Sequence, residues 1–463
     1  MNQVELERRL GAHGQRHVLR FWGRLSPAEQ QALARDIESV DLALVARLYR
    51  DEIANEDWAA LARRAEPPAA IRLTDADRAE KAAAARERGR KALAAGEVGI
   101  VLVAGGQGTR LGFDRPKGTY EIGPVSGATL FQILFEKALA VSRRHGAAIP
   151  FGVMTSPATH DETVAFLAEH NYFGLPRDDV FVFCQGTMPA VDAGDGRLLL
   201  AEKGRLALSP DGHGGMLQAL EGHGHLKELQ RRGIRQLFYM QIDSPLVGVC
   251  DAEFLGFHLL AAAEVSTQVV AKGDPADRVG NLVEVDGRAR IIEYSDLTDD
   301  AAGRRQPDGS LTLWAGNIAV HAFDLAFLAR MAERAALPFH RAKKKVPFVN
   351  EQGTLVEPEE PNALKFERFI FDLLPLAART LAVEVDEAES FAPLKNASGA
   401  NKDTPETVRA AMTALHAKWL RQAGAVVDDG VAVEIGPLFA LDAEEVARKI
   451  APGTRIGAPR YFG

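Results

Sequence analysis

Cysteine is almost missing from this chain: 463 residues carry two, Cys184 and Cys250. Two thiols give no disulfide framework and suit a reducing cytosol. No apolar stretch approaches the roughly 18 residues of a membrane span. The N-terminus is charged from Glu5 to Arg9 and lacks the apolar core of a secretory signal. Long basic runs are absent too, and acidic residues exceed basic ones by 63 to 55. That balance argues against polymeric nucleic acid as a partner. The one short basic cluster, Arg341-Ala342-Lys343-Lys344-Lys345, reads as a solvated face. Neither an internal repeat nor a low-complexity tract is present. What remains is an ordinary globular composition, 46% apolar and 25% charged. A chain of this length is expected to form about two or three domains. It is expected in the cytoplasm, acting on small molecules, with no membrane partner.

The richest local signal is Leu102-Val103-Ala104-Gly105-Gly106-Gln107-Gly108-Thr109-Arg110-Leu111-Gly112, followed by Pro116-Lys117-Gly118. An apolar run from Val98 to Ala104 ends in a loop of small residues, then an arginine and a lysine. Glycines let backbone approach a ligand closely, and successive N–H groups in such a turn form an anion-binding concavity. Arg110 offers a bidentate grip on phosphate and Lys117 a compact point charge. The loop is therefore expected to hold nucleotide phosphates. It is not a Walker A loop, because Lys117 sits between Pro116 and Gly118 instead of preceding Ser or Thr. It is not a dinucleotide fingerprint either, because the glycine after Gly106-Gln-Gly108 comes one place late, at 112; this disfavours a Rossmann-type oxidoreductase.

Residues 1–96 read as a helical N-terminal region. Ser26-Pro27-Ala28-Glu29 is a capping box with proline at the first helical position. Thr74 is placed to cap a second helix, which Gly96 stops. Glu66-Pro67-Pro68 marks a turn between them. From residue 97 to 394, apolar strands alternate with helical patterns. Strands are expected over Ile149–Thr155 and Leu237–Ile242, and helices over Thr129–Arg144 and Glu162–His170. Such alternation predicts an α/β, doubly wound, mainly parallel sheet. Ligands bind beyond the carboxyl ends of its strands, where both the Gly105 loop and Asp243 fall. Residues 395–463 read as a small C-terminal domain, with a helix over Pro405–Gln422 and short Val/Ile-rich segments at 426–435. His223 and His225, two apart on a predicted helix, would face different sides and make no zinc pair.

The pattern L-x-A-G-G-x-G-T-R-L-G-x(3)-P-K resembles the signature loop of the nucleotidyltransferases that make nucleotide sugars. Further blocks follow in order: Met154-Thr155-Ser156, Gln185-Gly186, Pro210-Asp211-Gly212-His213-Gly214-Gly215, Ile242-Asp243, Val283-Glu284-Val285-Asp286-Gly287, Glu293-Tyr294-Ser295, Ala315-Gly316-Asn317-Ile318 and Phe391-Ala392-Pro393-Leu394-Lys395-Asn396-Ala397. Together they are similar to the eukaryote-type UDP-N-acetylhexosamine (UDP-N-acetylglucosamine) pyrophosphorylases, from the Leu19-Arg20-Phe21-Trp22-Gly23 region to at least Trp419. The resemblance implies a Rossmann-like, GT-A-like nucleotidyltransferase sheet. It also implies transfer of uridylate from UTP to a sugar 1-phosphate with release of pyrophosphate.

In that reaction a sugar phosphate oxygen attacks the α-phosphorus in line. An anionic nucleophile needs no general base, so catalysis is positioning and charge neutralisation. The resemblance gives catalytic roles to Arg110, Lys117 and Lys395, and nucleotide contacts to Gly105, Gly106, Gln185, Gly212 and His213. Sugar contacts fall to Gly280, Glu293 and Asn317, with Phe369 and Phe371, two apart on a strand or helix edge, as core residues that could wall an acetyl pocket. Asp243, a hard oxygen donor after a strand, is the expected ligand of Mg²⁺ bridging phosphate oxygens. Two positions depart from the family. Ser244 stands where Asn usually follows the aspartate. His213 replaces another Asn, and UDP-glucose pyrophosphorylases carry histidine in the comparable segment. Alternatives are therefore a broad UDP-sugar or UDP-glucose pyrophosphorylase and a catalytically silent UDP-sugar-binding protein. A silent binder would not need Arg110, Lys117, Asp243 and Lys395 together.

Overall fold

The computed structural model describes residues 2–50 and 57–463. The part of the expected N-terminal helical region at 51–56 lies outside the described residues. The chain forms two compact units. The first is assembled from Met1–Asp57, Gln185–Gln218 and Ala336–Asp372, and the second from Trp58–Cys184, Ala219–Ala335 and Leu373–Gly463.

The second unit is built on a ten-stranded sheet. Its strands are β1 (Ala70–Ile71), β2 (Val98–Val103), β3 (Phe151–Thr155), β4 (Val180–Cys184), β5 (Gln236–Gln241), β6 (Val265–Ala271), β7 (Gly280–Val285), β8 (Arg288–Ile292), β9 (Ala315–Asp324) and β10 (Thr380–Glu384). The main path runs β1-β10-β6-β9-β5-β2-β3-β4, with β7 paired to β8 and to one end of β9. The stretch β5-β2-β3-β4 is parallel throughout, whereas β9 runs antiparallel to β5 and β6. From β2 the chain winds outward to β3 and β4, then returns to the other side for β5. That reversal opens a crevice at the carboxyl ends of β2 and β5. Apart from partly covered Val103, β2 is buried along its length, as a strand covered on both faces must be.

Helices α1 (Arg78–Ala94), α2 (Leu130–His145), α3 (His160–Glu169), α4 (Ala252–Leu260) and α5 (Pro405–Gln422) connect and flank the strands. Thr129 caps α2 by accepting from Gln132 N–H at 3.1 Å. The helix buries Phe131, Leu134, Phe135 and Ala138 on one stripe, and the Phe135 ring lies 4.5 Å from that of Phe151 on β3. The expected helix α5 is present with the expected bounds. Thr74, however, caps nothing: the chain turns at 73–77, and α1 begins after Asp77. Gly96 does stop that helix, with φ +68° and its N–H on Leu93 O. His223 and His225 are not on one helix. Gly224, with φ +76°, separates two short helices, and the two imidazoles stack at 5.9 Å.

The C-terminal segment has its own apolar cluster, including Leu420, Val433, Ile435 and Val446. Glu434, buried among these residues, accepts from the N–H groups of Val125 and Ser126 and from Ser126 Oγ, all within 2.8 Å. Three donors offset the desolvation of one carboxylate.

In the first unit the expected Ser26–Glu29 capping box opens the helix Pro27–Ser39. Its core gathers Leu6, Leu10, Val18, Leu33, Ile37 and Phe366 from distant parts of the sequence. The basic cluster lies on the edge strand His340–Lys344, with Lys343, Lys344 and Lys345 exposed as expected of a solvated face. No helix is long and apolar enough to cross a membrane, and no group of His, Cys, Asp and Glu forms a ready metal cage, among the described residues.

Three histidines, His258 and His416 buried and His213 half-buried, contribute to the response to acid. Burial pushes His213 and His258 down to about 4 and His416 down to about 3. His258 is held neutral between Ser266 Oγ and Gln236 Oε1, each at 2.8 Å. The unfolded chain, with histidines near 6.5, binds more protons than the folded one between those values. Their contribution to stability is thus complete above pH 6.5 and falls as pH drops toward 4, by up to about 1.4 kcal/mol per pH unit for each group. Denaturant midpoints measured at pH 7.5 and 5.0 should differ in that direction; equal midpoints would contradict neutral burial.

Candidate active site

Gly105 and Asp243 arise from neighbouring parallel strands in register, Val103 of β2 facing Gln241 of β5. Both therefore leave the same edge of the sheet, as the alternating pattern predicts. Gly105 is fixed from β3: Ser156 Oγ donates to Gly105 O at 2.7 Å, and Ser156 is fully buried. The rest of the loop folds as a hairpin. Gln107 and Gly108 pair with Pro116 and Phe113, a single helical turn (Thr109–Leu111) forms the tip, and Gly112 at φ +68° closes it. Lys117 N–H returns to Gly106 O at 3.1 Å. Arg110 stands exposed at the tip, with no hydrogen-bonded or ion-paired partner among the described residues.

Three of the chemistry-bearing residues are joined through one backbone segment. Lys117 Nζ donates to Leu394 O at 3.2 Å, and Leu394 N–H donates to Asp243 O at 2.8 Å. Lys395 follows directly. Its N–H and that of Asn396 both bond to Asp403 O, at 2.8 and 2.9 Å, while its ammonium lies 5.6 Å from the centre of the Phe391 ring. Asp403 adopts φ +60°, a conformation that Asp tolerates better than most side chains. Sequence reading gave Asp403 and Ser156 no role. The signal for Ser156, a hydroxyl directly after a buried strand, is a common one; that for Asp403 is visible only once the loop has closed.

The expected sugar contacts also meet. Gly280 on β7 pairs with Asn317 on β9. A Cβ on Gly280 would sit 2.9 Å from Glu293 Oε1, so this position needs glycine for the carboxylate to approach. Asn317 Oδ1 accepts from Ala319 N–H at 3.0 Å, which orients the amide and leaves its NH₂ as the outward donor.

The remaining five expected residues belong to the first unit. Gln185 is buried, 8% exposed, at the start of its segment. Gly212 has φ +86°, and a Cβ there would fall 2.4 Å from Arg368 O, so no other residue fits. His213 Nδ1 accepts from Ile370 N–H at 3.2 Å. Burial keeps the ring neutral, so the proton resides on Nε2, the donor side. Phe369 lies between two imidazoles: it stacks on His213 at 5.3 Å and meets His340 at 4.5 Å, and His340 Nε2 bonds to Asp372 Oδ2 at 2.7 Å. Phe371 also touches the His213 ring, at 5.4 Å. Of the strand or helix edge expected for the two phenylalanines, the strand is absent and the helix edge holds for Phe371. Phe369 lies in the link after the strand Ala363–Glu367, and Phe371 in the helical turn Ile370–Leu376. The link is needed because Arg368 N–H and O are spent on Asp211 O and Gly214 N–H.

Residues 47–441 match the model of the UTP–glucose-1-phosphate uridylyltransferase family. UDP-N-acetylhexosamine pyrophosphorylase-like protein 1 of Xenopus tropicalis is 39% identical over 435 residues, covering 90% of this chain and 84% of the relative. UDP-N-acetylglucosamine pyrophosphorylase of Saccharomyces cerevisiae is 38% identical over 368 residues, covering 78% and 77%. The crystal structure of uridine diphosphate N-acetylglucosamine pyrophosphorylase from Trypanosoma brucei, in complex with an inhibitor, superposes with TM-score 0.83 at 27% identity, over 97% of this chain and 95% of that one. With a loop hairpin, an aspartate and a lysine segment hydrogen-bonded at one sheet edge, and with matches of this extent, the chain belongs to the UTP–glucose-1-phosphate uridylyltransferase family and groups within it with the UDP-N-acetylhexosamine pyrophosphorylases.

Proposed function

We propose that this chain is a cytoplasmic, Mg²⁺-dependent uridylyltransferase that makes UDP-N-acetylglucosamine, or its galacto epimer, and pyrophosphate from UTP and the N-acetylhexosamine 1-phosphate. The observation that carries the reading is the hydrogen-bonded path from Lys117 through Leu394 to Asp243, which brings Lys395 beside the phosphate loop. An oxygen of the sugar phosphate forms a bond to the α-phosphorus as the bond from that phosphorus to the bridging oxygen breaks. The electron pair leaves with pyrophosphate, and no proton moves. Arg110 and Lys117 neutralise the β- and γ-phosphates, and Lys395 the group in transfer. The family resemblance assigns Gly105, Gly106, Gln185, Gly212 and His213 to the nucleotide. Glu293 accepts from sugar hydroxyls and Asn317 donates to an acceptor such as the acetyl carbonyl. The resemblance assigns Phe369 and Phe371, core residues of the first unit, to an acetyl pocket.

Asp243 suits Mg²⁺. Its carboxylate has no hydrogen bond or ion pair among the described residues, and buried Ser244 Oγ beside it is likewise unpartnered. Mg²⁺ commonly takes one or two carboxylates and fills its octahedron with water and phosphate oxygens, so a protein cage is not needed. When bound, the ion would neutralise charge on the phosphates. Asp243→Asn should raise the Mg²⁺ concentration for half-maximal rate about tenfold, in the range of lost metal-ligand interactions; an unchanged requirement would place the ion elsewhere.

Asn317→Ala should raise KM for the sugar 1-phosphate about tenfold and leave that for UTP within twofold, the size of one lost hydrogen bond. Equal loss on both sides would remove it from the sugar site. The reading as a whole is tested in reverse, with pyrophosphate and either UDP-N-acetylglucosamine or UDP-glucose. Preference for the acetylated sugar supports it, whereas preference for UDP-glucose moves the enzyme to the rival sugar class.

A further inference from the structure

Lys272 follows β6 directly and is buried, 9% exposed. Its backbone N–H bonds to Trp314 O at 2.8 Å, and its Nζ donates to Asn281 Oδ1 at 2.6 Å. Asn281 is itself locked: its Nδ2 donates to Val279 O at 3.2 Å and Ile292 O at 3.4 Å, so its oxygen faces the lysine. An ammonium has three donors, and here one is spent, on a neutral amide. No carboxylate lies at ion-pair distance from Nζ among the described residues; Asp277 and Asp274 act on it only from farther away, and burial lowers its proton affinity. A buried cation without a counter-ion is costly. Its persistence calls for an anion that the described residues do not supply.

The surroundings say where that anion goes. Lys272 lines a cavity of about 230 Å³ shared with Lys395, Lys402 and Arg278. Of the acids in its wall, Asp277 is paired with Lys402 at 3.4 Å, Glu387 is exposed, and partial burial raises the Asp403 carboxyl above its ordinary value. On its other side Lys272 runs along the sugar residues. Asn281 follows Gly280 and pairs with Gly316, next to Asn317, and a Cβ on Gly316 would lie 3.3 Å from Lys272 Cγ. The lysine thus spans from the Gly280–Asn317 pair to the cavity that holds Lys395.

We propose that Lys272 is a second cation of the reacting centre and binds the phosphate of the sugar 1-phosphate beside Lys395. The proposal rests on the uridylyltransferase reading and adds a residue that lies outside the motif blocks. Lys272 fixes the nucleophile's phosphate from the sugar side, while Lys395 acts on the group in transfer.

Two neutral variants separate charge from packing. Lys272→Met removes the charge and fills the same volume; Lys272→Gln also keeps a donor for Asn281. Both should raise KM for N-acetylglucosamine 1-phosphate at least tenfold, leave KM for UTP within twofold, and melt at or above the wild-type temperature. Lys272→Arg should recover part of the loss. An unchanged sugar KM would overturn the proposal, as would a parallel rise in both KM values with a lower Tm, the mark of a purely structural link between β6 and β7. Calorimetry needs no turnover: Lys272→Met should bind UDP-N-acetylglucosamine at least tenfold more weakly than wild type and UMP equally well. A wild type that binds the UDP-sugar but releases no pyrophosphate overturns the uridylyltransferase reading and leaves this comparison standing. An active wild type indistinguishable from Lys272→Met in every assay overturns the role of Lys272 alone.

Discussion

Lys395→Ala lowers kcat by about 10²–10³, the cost of removing one preorganised charge from a phosphoryl-type transition state, and changes KM for UTP by less than about threefold. The expectation is sharp because the backbone around Lys395 is held without its side chain. Its N–H and that of Asn396 are fixed on Asp403 O, and the preceding residue is tied to Asp243 and Lys117. Truncation should remove the ammonium and little else, so the loss reports on charge. Lys395→Arg should not restore the wild-type rate, because a planar guanidinium does not reproduce a compact point charge. Steady-state kinetics with both substrates varied check this; an unchanged kcat would take Lys395 out of the chemistry.

Arg110→Ala lowers kcat/KM for UTP by about a hundredfold, the value of a lost bidentate, charge-assisted contact with phosphate. Here the structure predicts a clean experiment for a different reason. Arg110 is exposed at the tip of the loop hairpin and has no hydrogen-bonded or ion-paired partner among the described residues. Its removal should leave Tm unchanged and the affinity for the sugar 1-phosphate nearly so. Wild-type kinetics in this variant would sink the assignment of the loop to phosphate binding, whatever became of Lys395.

Much of the second unit is legible in the sequence because its signals are local. A capping threonine before an amphipathic run locates α2, proline after Thr404 locates α5, and glycine at 96 ends α1. Fully apolar β2 announces a strand buried on both faces, and the glycine loop after it announces the site. Other features depend on partners far away in the chain. The first unit is woven from segments at the N-terminus, near 200 and near 350, and no local pattern says that Leu33 and Phe366 share a core. Antiparallel β9 lies within a sheet whose alternating elements suggest parallel strands. Thr74 has the chemistry of a cap but sits too early, and a single glycine at 224 breaks the helix that His223 and His225 were expected to share. Lys272 looks like any lysine after a strand. Its significance lies in burial and in the neutrality of its partner Asn281, neither of which a sequence displays.

The central claim is transfer of uridylate to an N-acetylated sugar phosphate, and pyrophosphate release tests it most directly. The protein is mixed with UTP and Mg²⁺, together with N-acetylglucosamine 1-phosphate, glucose 1-phosphate or no sugar. The account expects release with the N-acetylated sugar, little with glucose 1-phosphate and none in the control. Release with neither sugar, from protein that still binds UDP-N-acetylglucosamine, would contradict it and leave a silent binder on the same fold.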